Sequence, residues 1–468
     1  MTATITAPPR AAAPSAPKGT LIMGHHAAFF RDKIEFLERT ARDHGDAVPL
    51  RLGPIRVFLL SDPTAIAEVL TTRATSFRKD LGLRRMKILL GSGLLTSEGA
   101  EHERRSRIAQ PAFRPKAVET YATTMVEQTE AAVAAWAARG SVDLWAELSH
   151  LTLSIAAQTL FGDDVLSHAP GFSEAFTELL ELMEDRKKVL IPIPLAIPTP
   201  ANRRFKRARA VLDEAVYAMI RARRAAGPGE REDLLSRLLA PPADGGPGLT
   251  DEQLRDEVMT LVLAGHETTA NALSFTFRLL AENPAVAARV RGEVDATLGG
   301  RPAGAADVAR MHEVAATIQE SMRLYPPAWI MGREATEAVE LTGGVRIPRR
   351  AIAILSPLLV QRDPRWWPEP LAFRPERFAP DAPRPAPFTY FPFGGGKRAC
   401  IGRSFALLEA SLILATVLRG LDIEIDVTRP LELDAITTLR PQGGLPARVR
   451  RRTPAAAAPR SAAAISNG

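Results

Sequence analysis

The chain has 468 residues, of which 46% are hydrophobic and 24% charged, with a net charge of +7 and one cysteine. That is ordinary globular composition; a single cysteine excludes an intrachain disulfide and fits a reducing compartment, and no stretch offers the roughly 20 continuous apolar residues that cross a bilayer. The basic residues carry neither an RNA-module signature nor aromatic interleaving, so an acidic protein partner fits them better than nucleic acid.

Residues 1–20 are rich in Ala, Pro and Thr without an apolar core, which predicts a disordered tail rather than a signal peptide or anchor, and a cytoplasmic protein. Val48–Leu60 holds two β-rich runs around Gly53-Pro54 and predicts a hairpin. Asp62-Pro63 then caps and starts a helix. Amphipathic stretches predict helices around 116–138, 144–161 and 203–226. The breaks at Gly227–Glu230 and Pro241–Gly248 are short enough for surface loops. No internal repeat stands out, so residues 21–452 are expected to form one domain, followed by a disordered tail over 453–468.

Thr250 and Gln253 form a capping-box pattern ahead of a helix running to about Asn283. At ~1.5 Å per residue it spans close to 50 Å. Its middle reads Ala264-Gly265-His266-Glu267-Thr268-Thr269. Gly265 removes a side chain where a ligand would approach, and a Thr268 hydroxyl bonded back to the Ala264 carbonyl would bend the helix, leaving an opening fit for dioxygen and water. His266, on another face, reads as structural. Glu320 and Arg323 stand at i and i+3 on a later predicted helix, close enough to pair.

Cys400, the only thiol, lies in Phe393-Gly394-Gly395-Gly396-Lys397-Arg398-Ala399-Cys400-Ile401-Gly402. The glycines allow tight positive-φ turns and close approach to a flat ligand. Ile401–Leu418 reads as a helix, placing the sulfur at its N-terminus, where free N–H groups favour thiolate over thiol. Arg398 is within reach of an acidic edge of the same ligand. A lone cysteine is more often a small buried hydrophobe; in this decapeptide the iron-ligand reading outweighs that one.

The ten residues resemble the haem-binding signature of the cytochrome P450 family, and the likeness extends from about Lys18 to Arg452 with its motifs in family order. The resemblance implies a mainly α fold with small β-sheets near the N-terminus and around 336–356. It implies haem b with a Cys400 thiolate as axial ligand, in a loop framed by Phe393 and Gly402, and propionate contacts from His102, Arg333 and Arg398. Many relatives carry a basic residue four positions after that histidine; here it is Ser106, with Arg105 and Arg107 on either side to substitute. Glu267 would relay protons and Thr268 would hydrogen-bond the bound oxygen, while Glu320, Arg323 and Arg377 would form a structural network that retains haem.

By the same resemblance, substrate contacts fall at 78–95, 185–202, Met259–Leu263, Ala328–Met331 and Ile436–Thr438. Met259, Leu263, Ala264, Trp329, Ile330 and Thr437 are the candidate pocket residues, with Trp329 narrowing the space over the iron. These segments are largely apolar, so a hydrophobic ligand is expected, a fatty acid if Arg84, Arg85 and Lys87 hold a carboxylate, or a terpenoid or another apolar metabolite. The proline-broken run Ile191–Pro198 suggests an entrance loop. The implied reaction inserts one oxygen atom from O2, with electrons from NAD(P)H through a separate ferredoxin or flavodoxin and its reductase, in a monomer. Arg104, Arg105, Arg107, Arg114 and Lys116, with Lys397, Arg398 and Arg403, would steer that acidic donor. The rival readings are a haem-thiolate peroxygenase or isomerase, a thiol hydrolase and a non-enzymatic haem sensor.

Overall fold

The computed structural model describes residues 16–162, 171–188, 193–227, 233–240 and 248–452. Residues 1–15 and 453–468 of the two expected tails lie outside the described residues, as do 228–230, 241–247 and the beginning of the proline-broken run at Ile191.

The principal helices are α1 (Lys33–His44), α2 (Pro63–Leu70), α3 (Gly99–Ala109), α4 (Ala122–Arg139), α5 (Leu144–Phe161), α6 (Phe172–Lys188), α7 (Pro200–Ala226), α8 (Asp251–Glu282), α9 (Pro284–Leu298), α10 (His312–Leu324) and α11 (Arg403–Gly420). Several starts are the ones the sequence predicts. Asp62 accepts the Ala65 N–H at 2.9 Å, and Thr250 and Gln253 complete both halves of a capping box. The helix expected at 116–138 is instead broken around Thr120-Tyr121, with a single turn over Pro115–Glu119 before α4.

The strands are β1 (Ala47–Leu52), β2 (Ile55–Leu60), β3 (Phe77–Lys79), β4 (Ser141–Asp143), β5 (Met331–Ala335), β6 (Val339–Leu341), β7 (Val345–Ile347), β8 (Ile352–Leu355), β9 (Leu421–Ile425), β10 (Leu433–Ala435), β11 (Leu439–Pro441) and β12 (Pro446–Arg451). One sheet runs β1-β2-β8-β5-β3, with the expected hairpin at its edge, Ala47 opposite Leu60, and Gly53 in the left-handed region at φ 60°. A second joins β4-β12-β9, and β6-β7 and β10-β11 form two-stranded ribbons. Those built from 421–451 were not expected; three- to six-residue strands carry too few alternating positions to show against loop.

The centre of the molecule is α8, which packs against α5, α7, α10 and α11. From Leu254 to Leu280 every residue is buried except Ala264, Gly265 and Thr268. Those three share one face at i, i+1 and i+4. A mid-helix stripe open in an otherwise buried helix marks an internal cleft.

Candidate active site

The Cys400 loop is held against the rest of the protein. Cys400 N–H donates to Phe393 O at 2.9 Å, and Gly394 and Gly396 take φ of 70° and 64°. A Cβ at Gly396 would lie 1.9 Å from Leu70 O, and one at Gly395 2.5 Å from the Phe388 ring. The glycines are thus required first by packing onto α2 and Phe388. The following helix begins at Arg403, two residues later than expected, with Gly402 as its N-cap. Cys400 is exposed although protein crowds it from most sides; that crowding pushes its pKa up, while the Gly402 N–H and the Arg403 charge pull it down. A sulfur both accessible and crowded lines a cleft. Arg403 itself lies over the Phe393 ring, 5.7 Å from its centroid.

Beside this loop, basic side chains converge from four elements. Arg398 donates to Glu98 Oε2 at 2.5 Å and to Ser97 O at 3.2 Å. His102 Nδ1 donates to Leu94 O at 3.1 Å. Lys79 Nζ donates to Leu94 O at 3.0 Å and Ser97 O at 2.6 Å. Lys79 on β3 is the cross-strand partner of Arg333 on β5, a like-charge opposition that destabilises a sheet. Burial and then the Arg398 charge lower Lys79 to about 7, and burial with Arg398 and Lys79 lowers His102 to about 4. Burial likewise lowers Arg333. Sequence reasoning found His102, Arg333 and Arg398 but missed Lys79 and Glu98, which stand in no motif.

Arg105 does not substitute at this edge. It is buried on α3, donating to Glu257 Oε1 and Glu101 Oε1, both at 2.6 Å, and its burial also removes it from the basic surface patch. Arg107, Arg114, Lys116, Lys397 and Arg403 remain exposed. Glu257 also accepts the Leu94 N–H at 3.1 Å, and neighbouring Asp256 accepts that of Ser92 at 2.7 Å. A Cβ at Gly91 would fall 2.0 Å from Asp256 Oδ1. Two acids of α8 therefore strap down the segment Gly91–Ser97.

At the centre of α8, Thr268 Oγ1 donates to Ala264 O at 2.7 Å, as expected. At Gly265 an added Cβ would make only an ordinary contact with Ala156 of α5, at 3.7 Å, so helix packing does not by itself require glycine there. Glu267 is buried and its Oε1 accepts the Thr438 hydroxyl at 2.8 Å. His266 is buried edge-on against Phe176, its pKa lowered to about 4 by burial, in keeping with a structural role. One turn on, Thr269 approaches Glu409 of α11, a fully buried carboxyl raised to about 8 chiefly by desolvation. This contact ties the middle of α8 to the helix that follows Cys400.

The expected charge network is assembled. Arg323 Nε donates to Glu320 Oε2 at 2.7 Å and its Nη2 to Oε1 at 2.9 Å, all at zero side-chain exposure; Arg377 Nε lies 3.4 Å from Glu320 Oε1. Of the pocket candidates, Ala264 is exposed and Ile330 and Thr437 are partly accessible. Met259 and Leu263 are buried in the core. Trp329 is buried too, with its indole donated to Ile436 O at 3.2 Å, so it braces the wall instead of narrowing the space. Arg84 is already paired with Glu334 at 2.5 Å.

The cytochrome P450 family model matches residues 14–445. The chain belongs to that family. It is 38% identical to cyclooctatin synthase of Streptomyces melanosporofaciens over 86% of this chain and 88% of the relative. It is 35% identical to cyclooctat-9-en-7-ol 5-monooxygenase of the same organism, over 86% and 88%, and 32% identical to pentalenene oxygenase of Streptomyces avermitilis, over 94% and 98%. The P450 is thus a monooxygenase, and the group its family implies is haem. The residues fit it: an accessible thiol at a helix start, and a cluster of mutually repelling cations that a dicarboxylate edge would relieve. Among the described residues no helix of this P450 is long and apolar enough to cross a membrane.

Proposed function

We propose that this P450 oxygenates an apolar terpenoid skeleton, drawing two electrons from NAD(P)H through a separate ferredoxin or flavodoxin. The observation that carries the substrate class is the open stripe on α8, Ala264, Gly265 and Thr268, which offers a small apolar floor and one hydroxyl. Arg84, the first candidate anchor for a fatty-acid carboxylate, is already engaged by Glu334, which it shares with Arg78. The relatives named above, one a pentalenene oxygenase and one a cyclooctat-9-en-7-ol 5-monooxygenase, support the same class. Haem b, when bound, supplies O2 activation; Cys400 would hold its iron, with the Gly402 N–H and Arg403 pulling toward the thiolate against the raising effect of burial. His102, Arg333 and Arg398, joined by Lys79, would hold its carboxylates.

The protein's own part is then orientation and proton control. Thr268 presents its hydroxyl to the cleft while bonded to Ala264 O, and Glu267, buried one residue earlier, supplies protons toward Thr268 Oγ1. A peroxygenase or isomerase has no use for that pair. The basic residues left exposed beside the thiolate loop, Lys397 and Arg403, suit an acidic electron donor, and the setting is a cytoplasmic monomer.

The test is optical. Purified protein is reduced under carbon monoxide, and a Soret band at the red-shifted thiolate position is expected. Ferric protein is then titrated with pentalenene, cyclooctat-9-en-7-ol and lauric acid. A low- to high-spin shift with the terpenoids is expected, followed by oxygenated product with surrogate ferredoxin and reductase. A shift with lauric acid alone removes the terpenoid assignment, and an unshifted Soret band in folded protein removes the thiolate. Ligand binding with no turnover would return the sensor reading.

A further inference from the structure

Trp145 of α5 donates its indole Nε1–H to Asn271 Oδ1 at 2.8 Å. Asn271 Nδ2 donates to Thr438 Oγ1 at 3.2 Å, and Thr438 Oγ1 donates to Glu267 Oε1 at 2.8 Å. The direction of the first two links is forced by chemistry. An indole nitrogen only donates, so the amide oxygen of Asn271 must face it; the amide then presents N–H to the Thr438 hydroxyl, which keeps its own proton available for Glu267 Oε1. Asn271, Thr438 and Glu267 are all buried, where a hydrogen bond is stronger than in water and a mispaired group costs more. Arg440, paired with Asp434 at 2.9 Å, places a cation 5.4 Å from the Trp145 ring centroid at the donor end.

We propose that Trp145, Asn271 and Thr438 are positioning residues that lock Glu267 Oε1 as an acceptor, so that any proton Glu267 carries sits on Oε2. The inference rests on the reading of Glu267 as the proton-supplying acid. Three separate elements meet in it: α5, α8 and the turn of the β10–β11 ribbon. A carboxyl held this way keeps Oε1 on the Thr438 proton, backed by the donors of α5 and α8 that orient the hydroxyl.

The experiment uses haem-loaded protein in the diamagnetic ferrous-carbonyl form and reads the tryptophan indole N–H signals by two-dimensional NMR. There are five tryptophans, and the Trp145 signal is the one lost in Trp145→Phe. Glu267→Gln should shift that signal; in a Thr438→Val background the response to Glu267→Gln should vanish, and in Thr438→Ser, which keeps the hydroxyl, it should return. A Trp145 signal unmoved by Glu267→Gln, or moved equally without the Thr438 hydroxyl, overturns the proposal. Peroxide released per NAD(P)H on pentalenene separates the two readings. Thr438→Val should raise it, and should add nothing once Glu267 is Gln. If Glu267→Gln leaves the ratio unchanged while the NMR coupling holds, the proton-supply reading fails and the donor chain stands; if Glu267→Gln raises it and Thr438→Val does not, the positioning role fails.

Discussion

Replacing Glu409 with Gln gives the sharpest test of the packing between α8 and α11. The carboxyl is fully buried and burial lifts its pKa from an ordinary 4.5 to about 8, with Thr269 pulling the other way. The folded protein therefore holds a proton that the unfolded chain releases above about pH 4.5. Its contribution to stability is complete below pH 4.5, declines as pH rises, and is gone once pH passes 8. The interval from 4.5 to about 8, at about 1.36 kcal/mol per pH unit, amounts to about 5 kcal/mol, an upper bound because the surroundings relax around a new charge. Gln has nearly the same shape and stays neutral, so Glu409→Gln should match wild type near pH 5 and exceed it progressively toward pH 9. With ~1–2 °C per kcal/mol for a chain of this length, the gap in thermal midpoint should open by roughly 5–10 °C. The assay is thermal unfolding of both haem-loaded proteins at unit steps from pH 5 to pH 9. Parallel curves would show that the folded protein already hydrates or compensates the charge, and the desolvation reasoning would fall.

Thr268→Ala removes the one hydroxyl on the open stripe of α8 and leaves helix packing intact; product per NAD(P)H on pentalenene should drop with a matching rise in peroxide, and an unchanged ratio would sink its role. Glu320→Gln leaves the buried Arg323 guanidinium short of its countercharge, which should cost about 3–5 kcal/mol and speed haem loss to an acceptor globin; equal release rates would contradict the retention role. For Lys79 the sign runs opposite to Glu409. Its pKa is depressed to about 7, so the haem-free protein should gain stability as pH rises from 7 to about 10.5, the ordinary lysine value. Lys79→Met should flatten that slope in urea melts of haem-free protein and weaken haem affinity; an unaltered slope would remove Lys79 from the cation cluster.

Legibility followed the length of the signal. The decapeptide around Cys400, the hexapeptide around Thr268 and the capping box at Thr250 each pack several chemically constrained residues into one run, and each stands where the sequence placed it. The charge network was legible because Glu320 and Arg323 are one helical turn apart and Arg377 sits in its own short motif. The cation cluster was only half legible: Lys79 reaches it through strand register against Arg333, a pairing across more than 250 positions that periodicity does not encode. Arg105 was misplaced because i+3 spacing from His102 does not reveal that α3 turns it toward Glu257. Trp329 and Met259 lie in segments that border the site, but facing is decided by packing, and both turn into the core.

The strap over Gly91–Ser97 makes two design problems one. Leu94 is gripped through its N–H by Glu257 and through its carbonyl by Lys79 and His102. One side of that grip belongs to the cation cluster proposed to hold haem and the other to a segment at the border of the proposed substrate region. Engineering that widens this wall by loosening Asp256 or Glu257 would be transmitted through a single residue, Leu94, to the cations proposed to hold haem. Libraries that vary 91–97 should therefore be screened for cofactor occupancy before activity, since variants with altered selectivity and variants that have merely shed their haem will arise from the same positions.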